Sequence, residues 1–167
     1  MHFPLKHSNM TPADAMSPSS LDALLAHART LQRAAQAGAT QSLLRGKNLG
    51  LLCEASDAVD AELFRCAAIE LGAHVAHLRP SLSELSTPQE VRHTARMLGR
   101  LYDAVECQSM APALVAQMGR DAGVPIYDGI ASDQHPTATL AALLGGDTSP
   151  ADNRRFVLQA VLLSTLA

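Results

Sequence analysis

Residues 48–78 read NLGLLCEASDAVDAELFRCAAIELGAHVAHL, and this stretch decides the fold. Asn48 to Cys53 is a short apolar run of the kind that forms a strand covered on both faces. Leu63, Phe64, Ala67, Ala68 and Leu71 then recur at helical spacing across 57–71, and Gly72 offers a stop. His74 to Leu78 is a second strand. A helix rather than a hairpin turn lies between the strands, so they are parallel neighbours joined by a right-handed crossover.

The same alternation continues downstream. Pro88, preceded by Ser86-Thr87, opens a helix through Val91, Ala95, Leu98 and Leu101. Ala104–Cys107 is a third strand, 111–122 a helix and Val124–Tyr127 a fourth strand. His135-Pro136 opens a helix through Leu140, Leu143 and Leu144 that closes at Gly145-Gly146. Asp152–Leu166 reads as a last, amphipathic helix. Upstream, Ser19 or Ser20 is placed to cap a helix carrying Leu21, Leu24, Leu25, Ala28 and Leu31, with Gly38 as its stop. The expected architecture is α/β and three-layered: a four-stranded parallel sheet with helices on both faces. Residues 1–18, with Pro4, Pro12 and Pro18, read as a flexible arm, and 19–167 as one domain.

Bulk properties exclude several classes. The chain has 167 residues, 47% hydrophobic and 17% charged, which is globular composition rather than disorder. A net charge of −3 gives no electrostatic case for nucleic acid or an anionic membrane. No apolar run has the length of a membrane span, and the first twenty residues lack a signal-peptide pattern. Cys53, Cys66 and Cys107 are odd in number and show no CxxC spacing, which fits reduced thiols in a cytoplasmic protein rather than a disulfide framework or zinc site. No cofactor or metal is expected. His74 and His77 sit three apart on a strand, on opposite faces, so they do not share a ligand.

In parallel sheets, ligands collect outside the carboxyl ends of the strands. The candidate cleft there is lined by Glu54, Ser56, Asp57, Asp60, Gln108 and His135. The turn after the first strand leads into a helix N-terminus, a natural anion site. Asp57, Asp60 and Glu62 stand in it instead of Ser, Thr, Arg or Lys. Acids there support the helix itself by about 0.3–1 kcal/mol each, so the composition favours a self-capped helix start over an anion site. Ser132, Asp133 and His135 have triad composition without a nucleophile elbow, which marks coincidence. Cys53 and Cys107 read as buried, inert thiols. Arg154 and Arg155 read as surface or interdomain residues.

Four segments carry a resemblance: Leu43–Glu54, Thr94–Ala104 (TARMLGRLYDA), Gly123–Gly129 (GVPIYDG) and His135-Pro136-Thr137. Together they resemble the carbamoyl-phosphate-binding domain of ornithine carbamoyltransferases, a fold that aspartate carbamoyltransferases share. The likeness covers roughly residues 20 to 145. Asp152-Asn153-Arg154 and the apolar run after it resemble the family's C-terminal helix, which packs back onto this domain. That pattern implies that the second, amino-acid-binding domain is absent, with 145–150 as the splice. The family's Ser-Thr-Arg-Thr-Arg phosphate motif falls on Asp57-Ala58-Val59-Asp60-Ala61. Its arginine after the third strand falls on Gln108, and its His-Pro-x-Gln on His135-Pro136-Thr137-Ala138. His135 is kept and the other ligand-binding groups are lost. Arg96 and Arg100 match a structural pattern and are expected to hold neighbouring loops.

The resemblance implies three alternatives. The first is a catalytically silent relative serving as a binding or assembly module. It would form a homo-oligomer, a trimer by family habit, and could associate with a full-length carbamoyltransferase to regulate it. The second is a binding protein or altered enzyme whose acidic cleft takes a cationic or neutral small ligand. The third is a carbamoyltransferase subunit of amino-acid metabolism, completed by another chain.

Overall fold

The computed structural model describes residues 18–167. The arm expected over 1–18 lies outside that range except for Pro18, which begins the first helix. Strands β1 (Asn48–Leu52), β2 (His74–Leu78), β3 (Ala104–Cys107) and β4 (Ile126–Asp128) alternate with helices α1 (Pro18–Gln36), α2 (Val59–Glu70), α3 (Pro88–Leu101), α4 (Pro112–Ala122), α5 (Thr137–Leu144) and α6 (Pro150–Leu166). The sheet is wholly parallel in the order β2-β1-β3-β4. This is the expected α/β architecture.

Two apolar layers sandwich the sheet. Leu49 and Leu51 of β1, with Cys53 just after it, face the layer built by α1, α2, α5 and α6. Leu52, Val105 and Cys107 face the layer built by α3 and α4. Alternation along β1 and β3 thus supplies both cores from the same few residues. Helices α3 and α4 approach so closely that a Cβ on Gly99 would stand 1.9 Å from the Ala122 carbonyl oxygen. Only glycine fits there.

Helix boundaries follow local chemistry. Thr87 and Glu90 form a capping box at α3, with Thr87 Oγ1 accepting from Glu90 N at 3.2 Å and Glu90 Oε2 from Thr87 N at 3.1 Å. β4 begins at Ile126 rather than Val124, because Pro125 has no N–H to give the ladder; its carbonyl accepts from Val105 N at 3.0 Å. Helix α1 begins at Pro18, so Ser19 and Ser20 lie inside its first turn rather than before it.

Helix α6 departs from the amphipathic reading. Phe156 through Leu163 are buried without interruption, because α6 packs against α1, α2 and α5 at once. A helix buried on every side is a core element. Its polar residues are satisfied internally: Gln159 Nε2 donates to Ala67 O at 3.2 Å. Gln32 of α1 ties down the turn before α6, donating to Gly145 O at 2.8 Å and Thr148 Oγ1 at 2.6 Å. Asn153 joins this knot through Thr148 and through Gly145 O.

Candidate functional site

The carboxyl ends of the four strands are stitched level with one another. Gln108 N donates to Leu52 O at 2.9 Å, Gly129 N to Cys107 O at 2.8 Å, and Cys53 N to Leu78 O at 3.1 Å. Ser109, directly after Gln108, is held at φ +57°, a left-handed conformation uncommon for a residue with a side chain. Segments 53–58, 108–111 and 129–136 therefore emerge side by side.

The acidic turn does not cap its helix. Position 58 rather than 57 is the N-cap of α2, and alanine supplies no side-chain acceptor. This corrects the self-capped reading: the helix starts two residues later than expected, leaving Asp57 outside it, while Asp60 and Glu62 occupy the first turn. Their support is electrostatic only. Glu54, Ser56 and Asp57 are exposed, and Asp60 is half-buried. Arg65 braces the turn from within α2, donating to Ser56 O at 3.1 Å and to Glu62 Oε2 at 2.6 Å.

The other wall is the segment from Gly129 to Thr137, which is gripped from two sides. From the sheet, Glu106, fully buried on β3, accepts from Ile130 N at 3.1 Å and Ala131 N at 3.2 Å. Burial pushes its carboxyl up to about 7, against the lowering effect of those backbone donors. From α6, Arg154 donates to Ala131 O at 2.9 Å, Ser132 O at 3.0 Å and Thr137 Oγ1 at 3.0 Å. Thr137 in turn donates its hydroxyl proton to Ile130 O at 2.6 Å. Arg154 is therefore half-buried and engaged within the chain, rather than a free surface residue. Burial lowers its pKa, and the charges of Asp60 and Asp133 oppose that effect. Arg155 is likewise engaged: its Nε lies 2.6 Å from Glu70 Oε2 at an angle outside that of a hydrogen bond. Its Nη1 donates to Asp152 Oδ1 at 2.7 Å, and its guanidinium carbon sits 5.2 Å from the Phe156 ring centre.

His135 is half-buried beside this clamp. Burial, then the Arg154 charge, lowers its pKa to about 4, so the ring is neutral at physiological pH. Thr137 N donates to Nδ1 at 3.2 Å, which assigns the ring proton to Nε2. His135 thus closes the start of α5 with one nitrogen and keeps a donor on the other. Gln108 is 7% exposed, and its Nε2 makes no hydrogen bond of acceptable geometry, although the amide lies near enough to favour the charged form of Glu106.

Of the six residues read from sequence, Asp60 and His135 are brought together electrostatically through Arg154. Gln108 directly follows β3 at the carboxyl edge of the sheet and is buried, and Glu54, Ser56 and Asp57 are exposed on the turn. A groove of about 280 Å³ lies away from all six, between α1, the 39–43 segment, the end of α2 and α6. Glu106 and Arg154 were missed. An acid inside the apolar strand AVEC was the available signal for the first; nothing local marked the second, whose partners lie 17 to 23 residues away. Cys53 and Cys107 are buried with raised thiol pKa values, burial being the largest cause for each. His74 and His77 are both exposed, and His77 Nε2 lies 2.8 Å from Cys53 O. Arg96 and Arg100 are exposed and make no hydrogen bond or ion pair among the described residues, so the loop-holding role expected of them is not seen. No group of three or more possible metal ligands occurs among the described residues, and no helix among them is long and apolar enough to cross a membrane.

A parallel sheet with an uncapped helix N-terminus and two converging loops at its carboxyl edge is a doubly wound α/β binding domain. The model of the family described as aspartate/ornithine carbamoyltransferase, carbamoyl-P binding domain, matches residues 9–145, and the chain belongs to that family. Ornithine carbamoyltransferase of Actinobacillus pleuropneumoniae serotype 5b (strain L20) is 35% identical over 144 residues, which are 86% of this chain and 43% of that protein. The crystal structure of ornithine carbamoyltransferase from Burkholderia thailandensis E264 superposes with a TM-score of 0.70 at 19% identity, over 83% of this chain and 48% of that one. The enzyme from Gloeobacter violaceus gives 0.60 at 28%, over 82% and 45%. The chain spans less than half the length of each of these relatives.

Proposed function

We propose that this chain is a carbamoyltransferase-family domain without carbamoyltransferase activity of its own, acting as a homo-oligomeric binding or assembly module. A cytoplasmic setting fits its three unpaired thiols. A full-length carbamoyltransferase of amino-acid metabolism is the natural heterologous partner, and regulation of that enzyme the natural role. One observation carries the reading. The N-terminus of α2, where the family's phosphate motif falls, presents Asp57 and Asp60, and the cations beside it are already committed: Arg65 to Ser56 O and Glu62, Arg154 to Ala131 O, Ser132 O and Thr137. A phosphate there would meet two carboxylates in place of guanidinium groups, each of which contributes about 1.5–3 kcal/mol in a charge-assisted bond. Transfer also needs electrostatic stabilisation of the departing phosphate, and the wall supplies only a neutral His135. Isothermal titration with carbamoyl phosphate tests this directly. No binding tighter than about 1 mM is expected; sub-millimolar binding overturns the reading.

The unpartnered Nε2 of Gln108 supports a second reading, a small neutral ligand that offers carbonyl oxygens. Arg154 beside Asp60 and Asp133 argues against a polyamine. A thermal-shift screen of amides and polyamines separates the two chemistries, since only a ligand that binds the folded chain raises its Tm.

A further inference from the structure

The groove of about 280 Å³ between α1, the 39–43 segment, the end of α2 and α6 has the chemistry of a seat for an apolar segment with a cation beside it. Leu31, Ala34, Leu43 and Phe156 line it; Phe156 is buried, whereas Leu43 is 49% exposed. Gln159, also in its lining, is 2% exposed and gives its amide N–H to Ala67 O. No donor among the described residues serves its Oε1, and a buried carbonyl oxygen calls for an N–H. Glu70 lines the groove too and shares Arg155 with Asp152: Arg155 Nε is 2.6 Å from Glu70 Oε2, and its Nη1 is 2.7 Å from Asp152 Oδ1. Two carboxylates against one guanidinium leave one negative charge over.

The described chain begins at Pro18, the first residue of α1. The residues before it read MHFPLKHSNMTPADAMS. Met1, Phe3 and Leu5 alternate with His2 and Pro4, the pattern of an extended segment with one apolar face, and Lys6 follows at once. Leu31 and Ala34 lie about 20–24 Å along α1 from Pro18, at 1.5 Å per residue. From Pro18 back to Phe3 the chain can reach about 50 Å when extended, ample to turn back and run beside the helix. A cavity of about 150 Å³ takes a benzene ring, so the groove has room for the Phe3 ring and an aliphatic neighbour.

We propose that residues 1–6 fold back along α1 of the same chain and dock in this groove. Phe3 and Leu5 meet Leu31, Ala34, Leu43 and Phe156, a backbone N–H of the segment reaches Gln159 Oε1, and Lys6 supplies the charge that Glu70 and Asp152 leave uncompensated. Pro4 costs nothing there, because the groove presents no strand edge whose ladder would need its N–H. The docked segment straps α1 to α6 and to the 39–43 segment. The groove lies away from the candidate cleft, so this docking stands apart from the assembly reading.

Trypsin tests it on the full chain. Lys6–His7 is the first tryptic bond, and the next basic cleavage residue is Arg29, inside α1. A protease cuts the open form, so docking should make cleavage after Lys6 about tenfold slower in the wild type than in Phe3→Ser. Ala34→Trp, which fills the groove from α1, should release the segment to the same extent. Phe3 lies outside the described fold, so the first comparison holds whether or not Ala34→Trp folds. Independently, Phe3→Cys with Leu43→Cys, in a Cys66→Ser background, should close an intramolecular disulfide under mild oxidation. Wild-type cleavage as fast as that of Phe3→Ser overturns the docking, and protection without the intramolecular cross-link overturns the groove as its site. Protection that fades on dilution, with the cross-link forming between chains, replaces the same-chain segment by that of a second copy and overturns the strap.

Discussion

Glu106, from β3, and His135 hold the same loop and are shifted in opposite senses, and their opposition should be measurable. Burial raises the Glu106 carboxyl from its ordinary 4.5 to about 7. The folded chain therefore holds a proton that the unfolded chain releases, and stability falls as pH rises from 4.5 through 7. At about 1.4 kcal/mol per pH unit, that displacement corresponds to about 3 kcal/mol. Burial and Arg154 lower His135 from 6.5 to about 4. The unfolded chain then binds the extra proton, and stability falls as pH drops from 6.5 to 4. The displacement is of the same size, about 3 kcal/mol at most, reduced because part of the ring meets solvent. Between pH 4.5 and 6.5 the two slopes nearly cancel. Urea unfolding at half-unit steps from pH 4 to 8 should show this through difference curves, in which the other carboxylates drop out. Relative to wild type, Glu106→Gln should gain stability with rising pH, and His135→Asn should lose it. The crossing of the two difference curves is the signature. Difference curves that stay flat for both variants would refute the assignment of these titrations to the loop.

Other outcomes follow from the packing. Gly99→Ala should destabilise by about 3 kcal/mol or more, since its Cβ meets the backbone of Ala122 and no side-chain rotation relieves it; guanidinium melts will show it. Leu158→Ala, at a fully buried position of α6, should cost about 2–5 kcal/mol. Arg154→Met should raise the His135 pKa in an NMR titration by removing the charge that helps to lower it, and should speed amide exchange across 130–137 while the strands stay protected.

The sheet was legible because its evidence is local. β2 and β3 were placed to the residue by short apolar runs between a glycine or an aspartate and the next polar turn. α3 was marked at both ends by Thr87-Pro88 and by its periodic leucines. What escaped was non-local. Asp152, Arg154, Arg155 and Gln159 make α6 look half-polar, but each finds its partner on another element or one turn away, so the helix is core on nearly every side. Arg154 looked exposed because nothing near it in sequence announces the carbonyls of Ala131 and Ser132. Of the candidate cleft, Gln108 and His135 were placed at the correct edge by the strand-end rule alone. Asp57 has the composition of a cap, but the chain stays extended through Ala58, and only the backbone reveals that its carboxylate is left outside the helix.

The knot that Gln32 makes with Gly145, Thr148 and Asn153 has a consequence for the architecture of larger proteins. α5 stops at Leu144 and α6 resumes at Pro150, so the chain leaves one core helix and re-enters another at almost the same point on the surface. Gly146 and Asp147, exposed at the apex, belong to neither helix. Additional chain spliced there would increase the closure entropy by only about 0.6 kcal/mol for each doubling of its length, provided Gln32 still holds the two ends. The turn is a doorway. A second globule can be hung on it or taken away while the sheet behind keeps its shape.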